Sequence, residues 1–155
     1  MLTQGESAPD FELKDAEGKT LKKSDLKGKK YVVYLYPKDF TPGCTTEAAE
    51  FAQDYKKFKT AGIEIIGISP DDEESHRKFG EKMKVPFILL ADTEKEVAKK
   101  FGVWGKKKLY GREYEGIIRS TFLINPEGKV IHEWKNVKVE GHADAVLTKI
   151  KEMQK

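Results

Sequence analysis

One cysteine, Cys44, is all that the 155 residues contain. No intramolecular disulfide can staple the chain, and one thiol completes no common zinc motif. Such scarcity fits a reducing compartment and leaves Cys44 either inert or functional. No run of about 18 apolar residues occurs. The start, MLTQGESAPDF, has neither the basic region nor the apolar core of a secretory signal. A cytoplasmic protein with no membrane role is expected. Asn and Gln together number five against abundant Lys and Glu, a balance that suits a heat-tolerant protein. Neither sign of charge dominates, with 29 Lys and Arg interleaved with 26 Asp and Glu, so no single-sign field forms for nucleic acid. The Lys-rich stretches at 27–30 and 106–108 lack the interleaved aromatics of a nucleic-acid surface. His76, His132 and His142 show no metal-ligand spacing and are expected as surface or polar-contact residues, so no metal and no cofactor is implied.

What is present suits one compact unit. The length falls within the usual range of one domain, here 1–155, and the 38% hydrophobic content is that of a globular chain. Charged residues make up 35%, above the roughly 25% of ordinary domains, so the surface is densely charged. FELKDAEGKTL at 11–21 reads as a peripheral N-terminal hairpin turning at Glu17 and Gly18. YVVYLYP at 31–37 and IEIIGIS at 63–69 are strands apolar on both faces. Between them Cys44, Ala48, Phe51, Tyr55 and Phe58 recur at three and four, one face of a helix ending near Gly62. A second helix follows Asp71, a third strand occupies 86–90, and Thr93 is placed to cap a short helix. The glycine-punctuated stretch 103–116 reads as an exposed loop. IIRSTFLI and KVIHEW then flank a turn at 125–128 and should pair antiparallel. A terminal helix at 142–153 would turn Ala145, Val146, Ile150 and Met153 to the sheet. Neither an internal repeat nor a linker interrupts the chain. This order implies an α/β, thioredoxin-like three-layer sandwich with a mixed central sheet and an N-terminal hairpin extension.

Cys44 follows a strand and a Pro42-Gly43 turn and opens a helix, where free backbone N–H groups and the helix dipole favour a thiolate. An unperturbed cysteine is only roughly 3% ionised at pH 7, so such placement matters for nucleophilicity. Against this stands a plain packing role, since Cys44 shares its face with Ala48 and Phe51. The string PKDFTPGCTTE decides between them: it closely resembles the active-site loop of peroxiredoxins. The resemblance runs through APDFEL, VVYLYPKDFTPGCTTE, IIGISPD, LLADTEKEVAKKFGV and RSTFLINPEGKV, and is to the bacterioferritin-comigratory or PrxQ branch.

This resemblance implies a thiol-dependent peroxidase that reduces hydrogen peroxide and organic hydroperoxides through a Cys44 sulfenic acid. It makes Cys44 the peroxidatic cysteine, with Thr41 holding the peroxide, Pro37 shielding the sulfur and Arg119 serving as the active-site arginine. An arginine is permanently charged and able to bind peroxide oxygens, and one inside an apolar stretch is costly unless it faces a site or a partner. Thr41 could also cap the helix. Glu47, one turn after Cys44, could orient Arg119 or act as a favourable first-turn acid, and Gly43 supports the turn. Members of the branch carry a resolving cysteine five residues on or in the next helix; here those positions are Ala49 and about Gly80. A one-cysteine cycle is therefore expected, reduced by a thioredoxin-like protein, a low-molecular-weight thiol or a second subunit, in a monomer or weak homodimer. Two other readings are a thioredoxin-fold binding or chaperone protein without turnover and a thiol-disulfide oxidoreductase. The second normally needs a Cys-X-X-Cys pair, and positions 41 and 47 hold Thr and Glu.

Overall fold

The structure is a computed structural model that describes residues 2–153. Its centre is a seven-stranded mixed sheet in the order β2-β1-β5-β4-β3-β8-β9. Three parallel strands form the middle: β3 (Lys30–Leu35), β4 (Ile63–Ser69) and β5 (Ile88–Ala91). The hairpin of β1 (Glu12–Asp15) and β2 (Thr20–Lys22) joins one edge through antiparallel pairing of β1 with β5. At the other edge β8 (Ser120–Ile124) runs antiparallel to β3 and is followed by β9 (Val130–Trp134).

Alternation along β3 divides the interior in two. Tyr31, Val33 and Leu35 face one core, shared with Leu26, with Val97 and Ala98 of α3 (Glu96–Lys100) and with Phe101 just after it. Val32 and Tyr34 face the other, packed by α1 (Pro42–Thr60), α2 (Glu73–Met83) and α4 (His142–Met153). Helices on both faces give the three layers expected of the sequence. Phe51 of α1 is fully buried, stacked 4.8 Å from Tyr34, and its truncation to Ala should cost about 3–5 kcal/mol.

Three local expectations give way. The stretch at 103–116 is not a loop: β6 (Trp104–Leu109) and β7 (Arg112–Ile117) form a separate two-stranded hairpin. Tyr110 and Gly111 connect it with φ of 53° and 77°, the two positive values of a type I′ turn, with Tyr where Asn or Asp would signal it. Asp92, not Thr93, holds the start of α3, accepting from the Val97 and Ala98 N–H groups. In α4 the buried face is Ala143, Val146, Leu147 and Ile150, while Ala145 and Met153 are exposed.

The β3 and β8 register matters most for function. Leu35 pairs with Ser120, so the end of β3, which feeds the loop into α1, lies beside the residue preceding β8. That residue is Arg119.

Candidate active site

Cys44 occupies the third position of α1, in the turn whose N–H groups have no intrahelical acceptors. Its residue exposure is 1%. Arg119 does not interrupt a strand as its surroundings in sequence suggested; it lies in the two-residue joint between β7 and β8. Its carbonyl accepts from Val137 N–H at 3.1 Å, and Ile118 N–H bonds the Val103 carbonyl at 2.7 Å, so both sides of the joint are tied down. From there the guanidinium reaches α1. One N–H group donates to Cys44 Sγ at 3.3 Å and another to Glu47 Oε1 at 2.7 Å.

An arginine N–H aimed at sulfur is placed for a charge-assisted hydrogen bond to an anionic sulfur. Glu47 is fully buried, and its second oxygen, Oε2, has no hydrogen-bond partner. Burial pushes the Glu47 carboxyl up to about 7, against the opposing pull of Arg119. Burial would lower Arg119, but Glu47 and Cys44 outweigh it and hold the guanidinium above its usual range. Gly43 sits where a Cβ would come 3.1 Å from the Arg119 terminal nitrogen, so the missing side chain leaves the arginine its path.

Thr41 precedes α1 and makes no side-chain cap; its hydroxyl instead donates to the Lys38 carbonyl at 2.9 Å. The helix opens without that cap because proline at its first position removes one of the N–H groups needing an acceptor. Pro37 is half-buried between Tyr36 and Lys38. Beyond Arg119 opens a cleft of about 540 Å³ lined by Lys106, Lys107, Ile118, Asn136 and Val137. Burial, and then Arg119, lower Lys107. A more apolar hollow, under Leu26, Tyr31 and Gly128, lies toward the opposite end of β3.

The pattern of the AhpC/TSA family matches residues 4–133. The peroxiredoxin Bcp of Bacillus subtilis is 52% identical over 149 residues, 96% of this chain and 95% of that protein. The chain belongs to the AhpC/TSA family of peroxiredoxins. Among solved structures, the peroxiredoxin Q of Xanthomonas campestris superposes with a TM-score of 0.88 at 41% identity, covering 94% of this chain and 92% of that one. A trapped intermediate and ligand complex of that organism's bacterioferritin comigratory protein is described for its alkyl peroxide reduction activity. A cysteine-to-serine variant of Xylella fastidiosa PrxQ gives 0.94 at 33% identity, covering 100% and 99%.

As a peroxiredoxin the chain is a thiol-dependent peroxidase, and its one cysteine fits the one-cysteine type. Thr41 and Glu47 flank Cys44 where a disulfide oxidoreductase would place a second thiol. Position 49 is alanine and position 80 glycine, so neither supplies a sulfur. Sequence reasoning left out a polar cluster just upstream of Thr41. There Asp39 and His76, both buried, meet at 2.7 Å across 37 positions of sequence. The only sequence-level signal is a lone acid in the loop and a lone histidine in an amphipathic helix.

Proposed function

We propose that Cys44 is the peroxidatic nucleophile for hydrogen peroxide and alkyl hydroperoxides. The contact that carries this reading is the Arg119 guanidinium donating to Cys44 Sγ while anchored on Glu47. The thiolate attacks the nearer peroxide oxygen, the O–O bond breaks, and the departing oxygen takes a proton to leave as water or alcohol. Arg119 stabilises the charge moving onto that oxygen. The Thr41 hydroxyl donates its hydrogen bond to the Lys38 carbonyl, which leaves its oxygen lone pairs for a peroxide O–H. Pro37 walls the sulfur from bulk water, Glu47 orients Arg119, and Gly43 leaves the arginine room. The activity named for the Xanthomonas protein supports alkyl peroxides as substrates.

The sulfenic acid condenses with an external thiol, releasing water and forming a mixed disulfide; a second thiol then frees Cys44 and leaves as the oxidised disulfide. Electrons come from a thioredoxin-like protein or a low-molecular-weight thiol, so no cofactor enters. A lone thiol operating this way suits the reducing cytoplasm. No helix among the described residues is long and apolar enough to cross a membrane. Exposed large apolar side chains are few, Phe40, Met153 and the pair Tyr110 and Tyr114 on the β6–β7 hairpin, which favours a monomer or weak homodimer.

The test is mass spectrometry of reduced protein after one equivalent of peroxide, with a sulfenic-acid trap and a Cys44→Ser control. One trapped adduct on Cys44, followed by turnover on adding thiol, is expected. No adduct, or turnover retained in the variant, would overturn the reading.

A further inference from the structure

Three elements, β4, α2 and β5, converge on the loop that carries Thr41. The Asp39 carboxylate accepts from the Tyr36 hydroxyl at 2.6 Å through Oδ1, and from the Ser75 hydroxyl at 2.9 Å through Oδ2. Oδ2 also meets His76 Nδ1 at 2.7 Å. The other ring nitrogen, Nε2, lies 2.9 Å from the Leu90 carbonyl in β5, with Ser69 Oγ at 3.4 Å. The backbone of the loop is held as well: Asp39 N–H donates to Asp71 Oδ2 at 2.8 Å, and Ser69 donates to the same oxygen at 2.6 Å. Ligand atoms of Asp39, Asp71 and His76 all lie within 4.8 Å of one another. Both His76 nitrogens and both Asp39 oxygens already have partners, so the cluster is a hydrogen-bonded node in place of a cation site.

Nδ1 of His76 faces the Asp39 carboxylate and Nε2 faces the Leu90 carbonyl, so the ring bridges the loop and β5. Between this node and Thr41 stands one residue, Phe40, at φ 67° and 48% exposed. A bulky side chain in the left-handed region is strained and persists only where its neighbours hold it. Its ring rests edge-on against Phe79 of α2 at 5.2 Å, and Asp39 fixes the backbone on its other side.

We infer that Asp39 and His76 are positioning residues for the peroxide reaction, setting where the Thr41 hydroxyl stands relative to Cys44. They touch neither sulfur nor peroxide; they pin the turn Lys38–Thr41 to α2 and β5. The inference rests on the reading of Cys44 as the peroxidatic thiol.

A positioning role separates two reactions of the same sulfur. Peroxide reduction needs Thr41 in place, whereas alkylation by iodoacetamide needs only the thiolate and access to it. In Asp39→Asn the second-order rate constant for hydrogen peroxide should fall roughly 10- to 100-fold, while alkylation at the same pH stays unchanged or quickens. If that variant does not fold, Ser75→Ala and Tyr36→Phe each remove one donor to Asp39 and should lower the peroxide rate several-fold with the same alkylation result. Peroxide rates within twofold of the parent, or peroxide and alkylation rates falling together, would overturn the inference. A parent protein no faster than a free thiol would instead overturn the reading of Cys44, so the two failures are distinct.

Discussion

Two buried polar pairs lie on either side of the loop into α1, each closed at 2.7 Å, and they differ in how completely they are satisfied. In the Asp39 and His76 pair every carboxylate oxygen and ring nitrogen has a partner, drawn from α2, β5 and the loop itself. In the Glu47 and Arg119 pair one carboxylate oxygen has none, and the guanidinium spends a donor on sulfur. A complete network holds a backbone in place. An incomplete one keeps charge available for a reaction at the cost of stability, as expected where function overrides local rules. On the proposed function the first pair is scaffold and the second is machinery.

The largest stability effect should come from breaking the complete pair. His76→Ala empties a fully buried site and takes one partner each from Asp39 and the Leu90 carbonyl, and should lose about 3–5 kcal/mol in denaturant unfolding. A loss below about 1 kcal/mol would mean that the loop relaxes freely and that the two pairs do not differ as described.

Glu47→Gln should do the opposite. The folded protein keeps the Glu47 proton up to about pH 7, while the unfolded chain releases it near 4.5. Between those values the folded state binds the extra proton, so the parent loses stability from Glu47 as pH rises, and the loss of about 3 kcal/mol is complete above pH 7. The variant has no such slope. Its stability relative to the parent should therefore rise by about that amount between pH 4.5 and 7, measured by unfolding at each pH. A constant difference would place the Glu47 carboxylate in a far more favourable setting than its unpartnered oxygen implies.

His142 sharpens the same comparison. Burial first, and Arg119 second, push it down to about 4, and its Nε2 meets Thr121 Oγ1 at 2.8 Å. The unfolded chain takes up that proton near 6.5 and the folded protein only near 4, so stability falls by about 3 kcal/mol as pH drops through this window. Glu47 and His142 oppose each other between about pH 4.5 and 6.5. Removing Glu47 should make the remaining acid loss steeper, and His142→Asn should flatten it.

The smallest change tests geometry alone. In Gly43→Ala the new methyl group meets the Arg119 terminal nitrogen at 3.1 Å. Stopped-flow oxidation should slow about tenfold with little change in unfolding midpoint, since a small displacement of a charge-stabilising group is enough. An unchanged rate would show that Arg119 has slack the structure does not suggest.

Legibility in the sequence followed the range of the determinant. Cys44, Thr41 and Arg119 stand in contiguous strings, and the face Cys44, Ala48, Phe51 and Phe58 follows from helical spacing alone. The 104–117 hairpin was hidden because β7 is mostly exposed, which erases apolar alternation, and because Tyr110 occupies a turn position where Asn would announce it. The buried face of α4 was read out of phase because Ala145 and Met153 are apolar yet exposed. The Asp39 and His76 pair could not be read at all. Its partners come from α2, β5 and the active-site loop, brought together by the β3, β4 and β5 register and not by any local pattern.

On the proposed function Arg119, held by Glu47, makes Cys44 a fast peroxide nucleophile. The most direct test is the stopped-flow rate constant of reduced protein with hydrogen peroxide, for the parent and for Arg119→Gln, with the thiolate titrated by ultraviolet absorbance in both. The parent should be far faster than a free thiol and the variant roughly 10²- to 10³-fold slower, a difference persisting at a pH where both sulfurs are ionised. A parent rate equal to that of a free thiol, or a variant as fast as the parent, would contradict that reading.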